Sequence, residues 1–180
     1  MRTQQFNIAI AQSTIDWIGK KVTGAHNGTI RLKAGELSLA DGQITAGRFV
    51  VDTTSIKILD ITDPATNAQF AGHLASDDFF GIEQYPEACF EITSVQDNHI
   101  KGDLTIKGIT DPVAFEVKTR LNDDTLTVTG TIVIDRTKFG IKFRSGNFFR
   151  DLGDTLIYND FELNILLTAK AVEVPAQAQI

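Results

Sequence analysis

The stretch from Ile100 to Ile134, IKGDLTIKGITDPVAFEVKTRLNDDTLTVTGTIVI, decides the fold class. Apolar residues alternate with polar ones along each of its segments, as Ile100, Leu104 and Ile106 do in the first. A period of two places these side chains on one face of a β-strand. One-sided alternation is typical of an antiparallel sheet with one face in water. The stretch therefore predicts consecutive antiparallel strands.

The same alternation continues on both sides of this stretch. Short turn sequences separate the runs, including Asp41-Gly42, Asp97-Asn98, Gly108–Pro112 and Asn122–Asp124. Strands joined in this way form a meander, and a long meander closes into a barrel. We therefore predict an all-β protein, an antiparallel barrel of about eight strands. The remaining predicted strands are Thr14–Lys21, Thr29–Lys33, Glu36–Leu39, Ile44–Asp52 and a run from Phe161 to Leu167.

One segment interrupts the strand pattern. Asp63-Pro64 precedes Ala65–Leu74, with Asp63 suited to cap a helix and Pro64 to its first position. Together with the apolar run that follows, this predicts a short helical insertion around residues 64–80. The insertion would cover one side or one end of the barrel.

The composition suits a single domain. The chain has 180 residues, and we assign 1–180 to one barrel domain with a frayed tail at 172–180. The formal charge of −6 argues against a nucleic-acid partner and, more weakly, against adhesion to anionic lipid surfaces.

Two further features of the chain concern its place in the cell. No apolar run is long enough for a membrane-spanning helix. No signal peptide is visible either, because the apolar stretch near the N-terminus is too short. The sequence as given therefore favours the cytoplasm, whereas removal of a signal beforehand would favour the periplasm.

The sequence offers few groups for catalysis. His26, His73 and His99 are not spaced as metal ligands, and neither a nucleophile elbow nor a phosphate-binding loop is present. His26 lies between glycines, where it would hydrogen-bond either a ligand or neighbouring backbone. We therefore predict a protein that is not an enzyme. The alternative is a small barrel enzyme that acts on a lipid through His26 or His73.

Two patterns leave alternatives open. Gly102 and Gly130 lie in register with apolar faces, where a glycine marks either a bend or space for a ligand. A cluster of basic residues around four phenylalanines is either a solvated loop or a basic rim for an anionic head group. Its members are Arg136, Lys138, Lys142, Arg144 and Arg150.

Several segments together resemble the YceI-like family. Trp17–Gly28 is similar to its W-x-G-x-K-x-x-G-x-H-x-G opening, and Gly47–Ile56 to its G-x-F-x-V-D-x-x-S-I strand. His73–Phe90 resembles its most diagnostic run. Gly102–Thr110 resembles G-x-L-T-I-K-G-x-T, and Arg136–Ile141 resembles R-x-x-F-G-I. These segments occur in the family's order across nearly the whole chain.

The resemblance implies a lipocalin-like barrel that holds a long apolar molecule in its lumen. The ligand implied is a polyisoprenoid or an isoprenoid quinone, held for transport, storage or sequestration. No catalytic cofactor is implied, and a homodimer is compatible with the family.

The side chains that we assign to ligand binding combine inward strand faces with the family segments. They are Trp17, His26, Phe49, Phe79, Phe80, Phe90, Leu104, Ile106, Phe115, Val117, Val128, Gly130, Ile132, Phe139, Leu163 and Ile165.

Overall fold

The described part of the chain forms one closed antiparallel β-sheet with one α-helix. The structure, a computed structural model, describes residues 3–146 and 156–172. Within them the sheet contains nine strands, and every pairing is antiparallel. The predicted all-β barrel with a short helical insertion is confirmed.

The strands and the helix have the following bounds. They are β1 Thr3–Ile8, β2 Thr14–Lys21, β3 Gly24–Ala40, β4 Gln43–Ile58, α1 Pro64–Ala75, β5 Glu87–Gln96, β6 His99–Ile106, β7 Ile109–Asn122, β8 Thr125–Asp135 and β9 Ile157–Ala171. The described residues also contain two 3₁₀ turns, at Ile10–Gln12 and Arg136–Phe139.

The ring of strands closes because two short strands share one place in it. β1 and β2 both pair with β3 and with β9, at different positions along these longer strands. Phe6 of β1 lies opposite Leu37 and Ala171, whereas Trp17 of β2 lies opposite Gly28 and Leu163. The ring therefore has eight places for its nine strands.

The alternating pattern places the predicted residues inside the barrel. On β8, Leu126, Val128 and Ile134 are no more than 3% exposed, whereas Val133 is 54% exposed. The turn between β6 and β7 lies at Lys107-Gly108, tighter than the predicted Gly108–Pro112. Pro112 falls inside β7. At this position β7 pairs only with β6, so the missing N–H of Pro112 does not interrupt the pairing with β8.

One end of the barrel is solidly packed. Phe6, Leu37, Leu39, Leu126 and Ala169 are at most 2% exposed and form the centre of one hydrophobic cluster. The turns β3–β4, β5–β6 and β7–β8 lie at this end, which we call the closed end. The opposite end, where β2–β3, β6–β7 and the start of β9 lie, we call the mouth.

The helix α1 lies at the mouth and is itself barely buried. Asp63 caps it by accepting from the Thr66 N–H at 3.0 Å, and Pro64 occupies its first turn, as predicted. The helix ends at Ala75 rather than near residue 80, because Ser76 turns back and donates to the His73 carbonyl at 2.6 Å. None of the residues of α1 is fully buried.

Two segments that are distant in the sequence, the run around Phe79 and Tyr85 and the β6–β7 turn, contact each other. The ring of Tyr85 packs over Gly108, where an added Cβ would lie 3.1 Å from it. Gly108 has a φ of +74°, so glycine meets both demands of this turn. Lys107 donates to the backbone carbonyl of Asp77. The run around Phe79 and Tyr85 is thus fastened to the β6–β7 turn.

The glycines in register with the apolar faces are close-approach positions. A Cβ on Gly102 would lie 2.4 Å from the ring of Phe90, and one on Gly130 would lie 2.8 Å from the Glu116 carbonyl oxygen. Of the two alternatives for Gly130, a bend or space for a ligand, the second is contradicted, because neighbouring backbone already occupies that space. The ring of Phe90 covers Gly102 in the same way.

Among the described residues, no helix has both the length and the apolar character needed to cross a membrane.

Candidate functional site

A layer of phenylalanines divides the barrel interior. The rings of Phe49 and Phe90 are 6.3 Å apart, and those of Phe90 and Phe115 are 5.6 Å apart. Phe90 packs against both the closed-end cluster and a second cluster centred on Phe139 and Ile141. The interior is therefore filled below this layer, and the space for a ligand lies above it, toward the mouth.

A cavity of about 180 Å³ lies at the mouth. Aliphatic and aromatic side chains make up most of its wall, and the polar residues are few. The wall consists of Ile15, Trp17, Gly19, Lys20, Lys21, His26, Ile30, Val51, Thr53, Ile56, Phe70, Leu74, Phe79, Phe80, Ala88, Leu104, Ile106, Ile134, Arg136, Ile141, Ile157, Tyr158, Asp160, Phe161 and Leu163.

The helix α1 covers part of this cavity. Phe70 and Leu74, one helical turn apart, both border it. Asn67 ties the helix to the end of β4 by donating to the carbonyls of Ile58 and Ile61, each at 3.0 Å. Because the inner face of α1 borders the cavity and few polar bonds secure it, we regard α1 as a cover.

His26 joins the barrel to this cover. Its Nδ1 lies 2.8 Å from an Asp60 carboxylate oxygen, and its ring centroid lies 4.9 Å from that of Phe70. Burial acts to raise the pKa of Asp60, but hydrogen bonds from the Asn27 N–H and from His26 outweigh it and leave that pKa lowered. The imidazole thus binds its own protein's carboxylate, an option absent from the sequence alternatives.

His73 packs within an aromatic group. Its ring makes edge contacts with Phe79 and Phe143, at centroid distances of 4.9 and 4.7 Å. Its Nε2 lies 3.2 Å from an Asp78 carboxylate oxygen. His99 is exposed and lies 2.8 Å from Glu116, far from the cavity wall. His73 therefore has a packing role at the mouth.

Acid should loosen α1 before it unfolds the barrel. The Thr66 hydroxyl and N–H donate to Asp63 and lower its pKa, as the bonds described above do for Asp60. A lowered carboxyl pKa contributes stability above the ordinary pKa, and this stability is lost as pH falls through the folded-state pKa. Between about pH 5 and pH 2, we expect α1 amides to lose hydrogen-exchange protection while barrel amides keep theirs.

A variant with Asp60→Asn and Asp63→Asn is the control for this prediction. The amide oxygens still accept hydrogen bonds but do not titrate, so the protection of α1 should no longer depend on pH in this range. Simultaneous loss of protection in α1 and the barrel would contradict the prediction.

Arg136 serves the fold of the mouth. Its guanidinium donates to three backbone carbonyls, those of Tyr158 at 3.0 Å, Ile141 at 2.9 Å and Ile157 at 3.0 Å. Burial lowers the pKa of Arg136, and the nearby Asp135 carboxylate partly offsets this effect. The R-x-x-F-G-I segment therefore ties the start of β9 to the end of β8.

Of the two alternatives for the basic cluster, a solvated loop or a basic rim, the rim is only partly supported. Arg136 is directed to backbone carbonyls, and Arg144 lies over the ring of Phe143 at 5.0 Å. Arg150 lies outside the described residues. The cations that border the cavity besides Arg136 are instead Lys20 and Lys21 of β2.

The sequence also matches the model of a known protein family. The sequence model of the YceI-like domain matches residues 6–169. The chain belongs to the YceI-like family. The segments that resemble the family's motifs have structural roles in this fold, such as the contact between Tyr85 and Gly108.

Curated relatives and solved structures agree with this family. A UPF0312 protein of Staphylococcus aureus strain bovine RF122 is 45% identical over 78 residues, which is 39% of this chain and 46% of the relative. The chain thus spans about half the length of the curated relatives it matches.

Two solved structures share the fold. BcnA of Burkholderia cenocepacia has a TM-score of 0.66 at 22% identity, covering 91% of this chain and 99% of its own. A polyisoprenoid binding domain from Saccharophagus degradans, implicated in plant cell wall breakdown, has a TM-score of 0.69 at 14% identity, covering 93% and 98%.

The structure brings part of the predicted ligand-binding set of this YceI-like protein to the cavity. The wall includes Trp17, His26, Phe79, Phe80, Leu104, Ile106 and Leu163. A ligand contact at these residues stays a prediction.

The other predicted residues do not border the cavity. Inward alternation identifies the interior of a barrel but not the level at which it is empty, and this explains the difference. Val117, Val128 and Phe49 are buried in the closed-end cluster, and Phe90, Phe115 and Ile165 pack against it. Phe139 lies in the second cluster, Ile132 packs against it, and Gly130 faces neighbouring backbone.

Sequence reasoning missed the contribution of α1 to the wall. Phe70 and Leu74 are spaced four apart, a signal that places both on one helix face. Gly19 was also missed, although it continues the inward series of Ile15 and Trp17. Lys20 and Lys21 carried no such signal, because a β-bulge between Gly19 and Lys21 interrupts the alternation there.

Proposed function

We propose that the protein binds a long, apolar, isoprenoid-type chain in the mouth cavity and holds it for transport, storage or sequestration. The observation that carries the proposal is a cavity whose wall is almost entirely hydrocarbon, closed below by phenylalanines and covered by a weakly buried helix. Each buried CH₂ group of such a chain contributes about 0.8 kcal/mol. A chain can therefore bind tightly without polar contacts.

The polar groups inside the cavity favour recognition of the chain over its head group. Thr53 donates its hydroxyl to the Tyr85 carbonyl at 2.8 Å, and Arg136 donates to three carbonyls of the fold. These groups are already satisfied, so a quinone ring or phosphate would gain little from them. We propose that the head group stays at the mouth, near Lys20, Lys21 and Tyr158.

The size of the cavity sets how the chain is held. A cavity of about 150 Å³ holds a benzene molecule. The present 180 Å³ therefore suits little more than one isoprene unit, which is similar to benzene in size. A longer chain requires α1 to move outward. The weak burial of α1 makes this the least costly way to enlarge the cavity.

Mass spectrometry of a solvent extract tests the proposal. Purified protein should release a lipid with an isoprenoid chain, and lipid-stripped protein should bind added polyprenol or isoprenoid quinone. Stripped protein that binds neither compound would contradict the proposal. Polyprenol and quinone of equal chain length should bind with similar affinity, because the cavity contacts the chain; strong preference for the quinone would mean that the head group is recognised.

The enzyme alternative has one observation in its favour, since His26 borders the cavity. We propose a binding role instead, because the Nδ1 of His26 is paired with Asp60 and its ring supports Phe70. His26→Gln and His73→Gln variants test this proposal. Turnover of a bound lipid that disappears in one variant would favour the enzyme. A homodimer also stays a proposal, to be tested by light scattering.

A further inference from the structure

The two ends of the barrel differ in the chemistry of their surface. The closed-end turns carry exposed acidic residues. These are Asp41, Asp97, Asp123 and Asp124. Most of the large, exposed apolar side chains lie at or near the mouth. They are Val22, Leu59, Ile109, Val133 and Tyr158, each 42–60% exposed. Single exposed apolar residues are ordinary, but their concentration around one opening is not.

Cations accompany these apolar side chains on one half of the mouth. This half is formed by β2, β9, the end of β8 and the start of β7, and we call it the basic rim. Lys20 and Lys21 directly precede Val22. The Val22 N–H donates to the Leu156 carbonyl at 3.1 Å, which places Val22 near Tyr158. The side chain of Ile109 lies beside Gly140. Gly140 directly follows the 3₁₀ turn that carries Lys138. Lys142 and Arg144 follow and are exposed.

The acidic residues of the mouth are mostly on the opposite half, with α1. Those just before and after α1 are Asp60, Asp63, Asp77, Asp78 and Glu83. Asp60 and Asp78 face His26 and His73, and Asp63 caps the helix. On the basic-rim side, Asp135 accepts from Thr137, and Asp160 borders the cavity. Glu162 lies opposite Val133, and Asp111 follows Ile109 by two residues. The cations Lys20, Lys21, Lys138, Lys142 and Arg144 are nevertheless on this half, so the formal charge of −6 is unevenly distributed around the mouth.

We propose that the basic rim docks on an anionic lipid bilayer. Val22 and Ile109 enter the headgroup region, and Lys20, Lys21 and Lys138 meet lipid phosphates. Apolar side chains flanked by cations are the pattern of interfacial membrane binding. The choice of a bilayer over another partner rests on the proposed function, because Lys20, Lys21 and Tyr158 border both the rim and the cavity. In this orientation a chain passes between bilayer and cavity without crossing water.

Vesicle sedimentation tests the docking surface without any cavity ligand. Wild-type protein should bind vesicles of phosphatidylcholine with about one third phosphatidylglycerol, and bind pure phosphatidylcholine weakly. Each lysine near an anionic surface contributes about fivefold to binding, so Lys20→Gln with Lys21→Gln should lower it about 25-fold. Added salt should weaken binding as well. Lys101→Gln with Lys118→Gln, on exposed strand faces away from the mouth, is the matched control and should change little.

Apolar variants complete the test. Val22→Asp with Ile109→Asp should reduce vesicle binding on the order of tenfold. Leu121→Asp with Leu166→Asp, similarly exposed but away from the mouth, should have no effect. Equal binding to neutral and anionic vesicles, or equal effects of the two pairs, would overturn the proposal. A change of molar mass in the Val22 and Ile109 variant would overturn it too, since a second copy would then cover this surface.

The docking proposal and the proposed function fail in distinguishable ways. Val22 and Ile109 do not border the cavity, so their variant should bind detergent-solubilised polyprenol as the wild type does. Loss of vesicle binding with unchanged polyprenol binding supports the surface. Vesicle binding by a protein that binds no polyprenol would refute the proposed function while leaving the surface in place.

Discussion

Replacing Gly19 with phenylalanine should strongly weaken isoprenoid binding and leave the barrel folded. Gly19 borders the cavity, and a Cβ placed on it would meet no atom within 4 Å. A phenyl ring is the size of benzene, which fills a cavity of about 150 Å³, so the ring would occupy most of the 180 Å³ available. Displacing about four CH₂ groups of the ligand would raise the Kd on the order of 100-fold.

Isothermal titration with polyprenol in detergent, together with thermal unfolding, measures this effect. Gly72→Phe is the matched control, because Gly72 also has open space around it but is exposed on α1 and does not border the cavity. The control should bind as the wild type does. Unchanged binding by Gly19→Phe would show that the ligand does not occupy this cavity, whereas failure to fold would show that Gly19 is needed by the sheet.

Replacing Gly28 with alanine should cost the largest amount of stability of any glycine substitution in β2 or β3. An added Cβ would lie 1.7 Å from the Lys57 carbonyl oxygen and 2.6 Å from the ring of Trp17. Trp17 cannot simply turn away, since its indole N–H donates to the Thr29 carbonyl at 3.2 Å. The strands must separate, and we expect a loss of about 3 kcal/mol in the free energy of unfolding.

Urea unfolding of Gly28→Ala and Gly19→Ala makes the comparison directly. Both changes add one methyl group to neighbouring strands, but only the first meets an obstacle. Gly19→Ala should stay within about 0.5 kcal/mol of the wild type. Equal stabilities of the two variants would contradict the close approach at Gly28. The same contact gives a physical reason for the tryptophan and the last glycine of the Trp17–Gly28 segment to occur together.

The sequence was sufficient to predict most of the strands and the helix, but it missed β1, and the predicted strands Thr29–Lys33 and Glu36–Leu39 are parts of one strand, β3. Period-two alternation fixes the inward faces of strands because a slip of one residue would expose the whole apolar set. Asp63 and Pro64 marked the start of α1 because caps act locally. The end of the helix was less predictable. Ser76 ends it with a hydrogen bond to the His73 carbonyl, whereas the apolar residues Phe79 and Phe80 suggested a longer helical segment.

The candidate site was only half predictable, because emptiness is a property of packing. Leu104 and Val128 follow the same alternation, yet Leu104 borders the cavity and Val128 is buried in the closed-end cluster. Which level stays open depends on where β1 and the phenylalanine layer lie, and that depends on strand register across the whole ring. Gly130 illustrates the same limit, since only the position of the Glu116 carbonyl shows that its space is already taken.

The layer of Phe49, Phe90 and Phe115 also affects how such a protein can evolve. It separates the closed-end cluster from the second cluster, several of whose buried members, such as Leu104, Ile106 and Ile134, also border the cavity. Substitutions above the layer can alter which molecules fit, while the packing of Phe6, Leu37 and Leu126 below it stays unchanged. Ligand preference can therefore diverge among relatives without a matching loss of stability, and the barrel can be adapted to new guests by changes confined to its upper half.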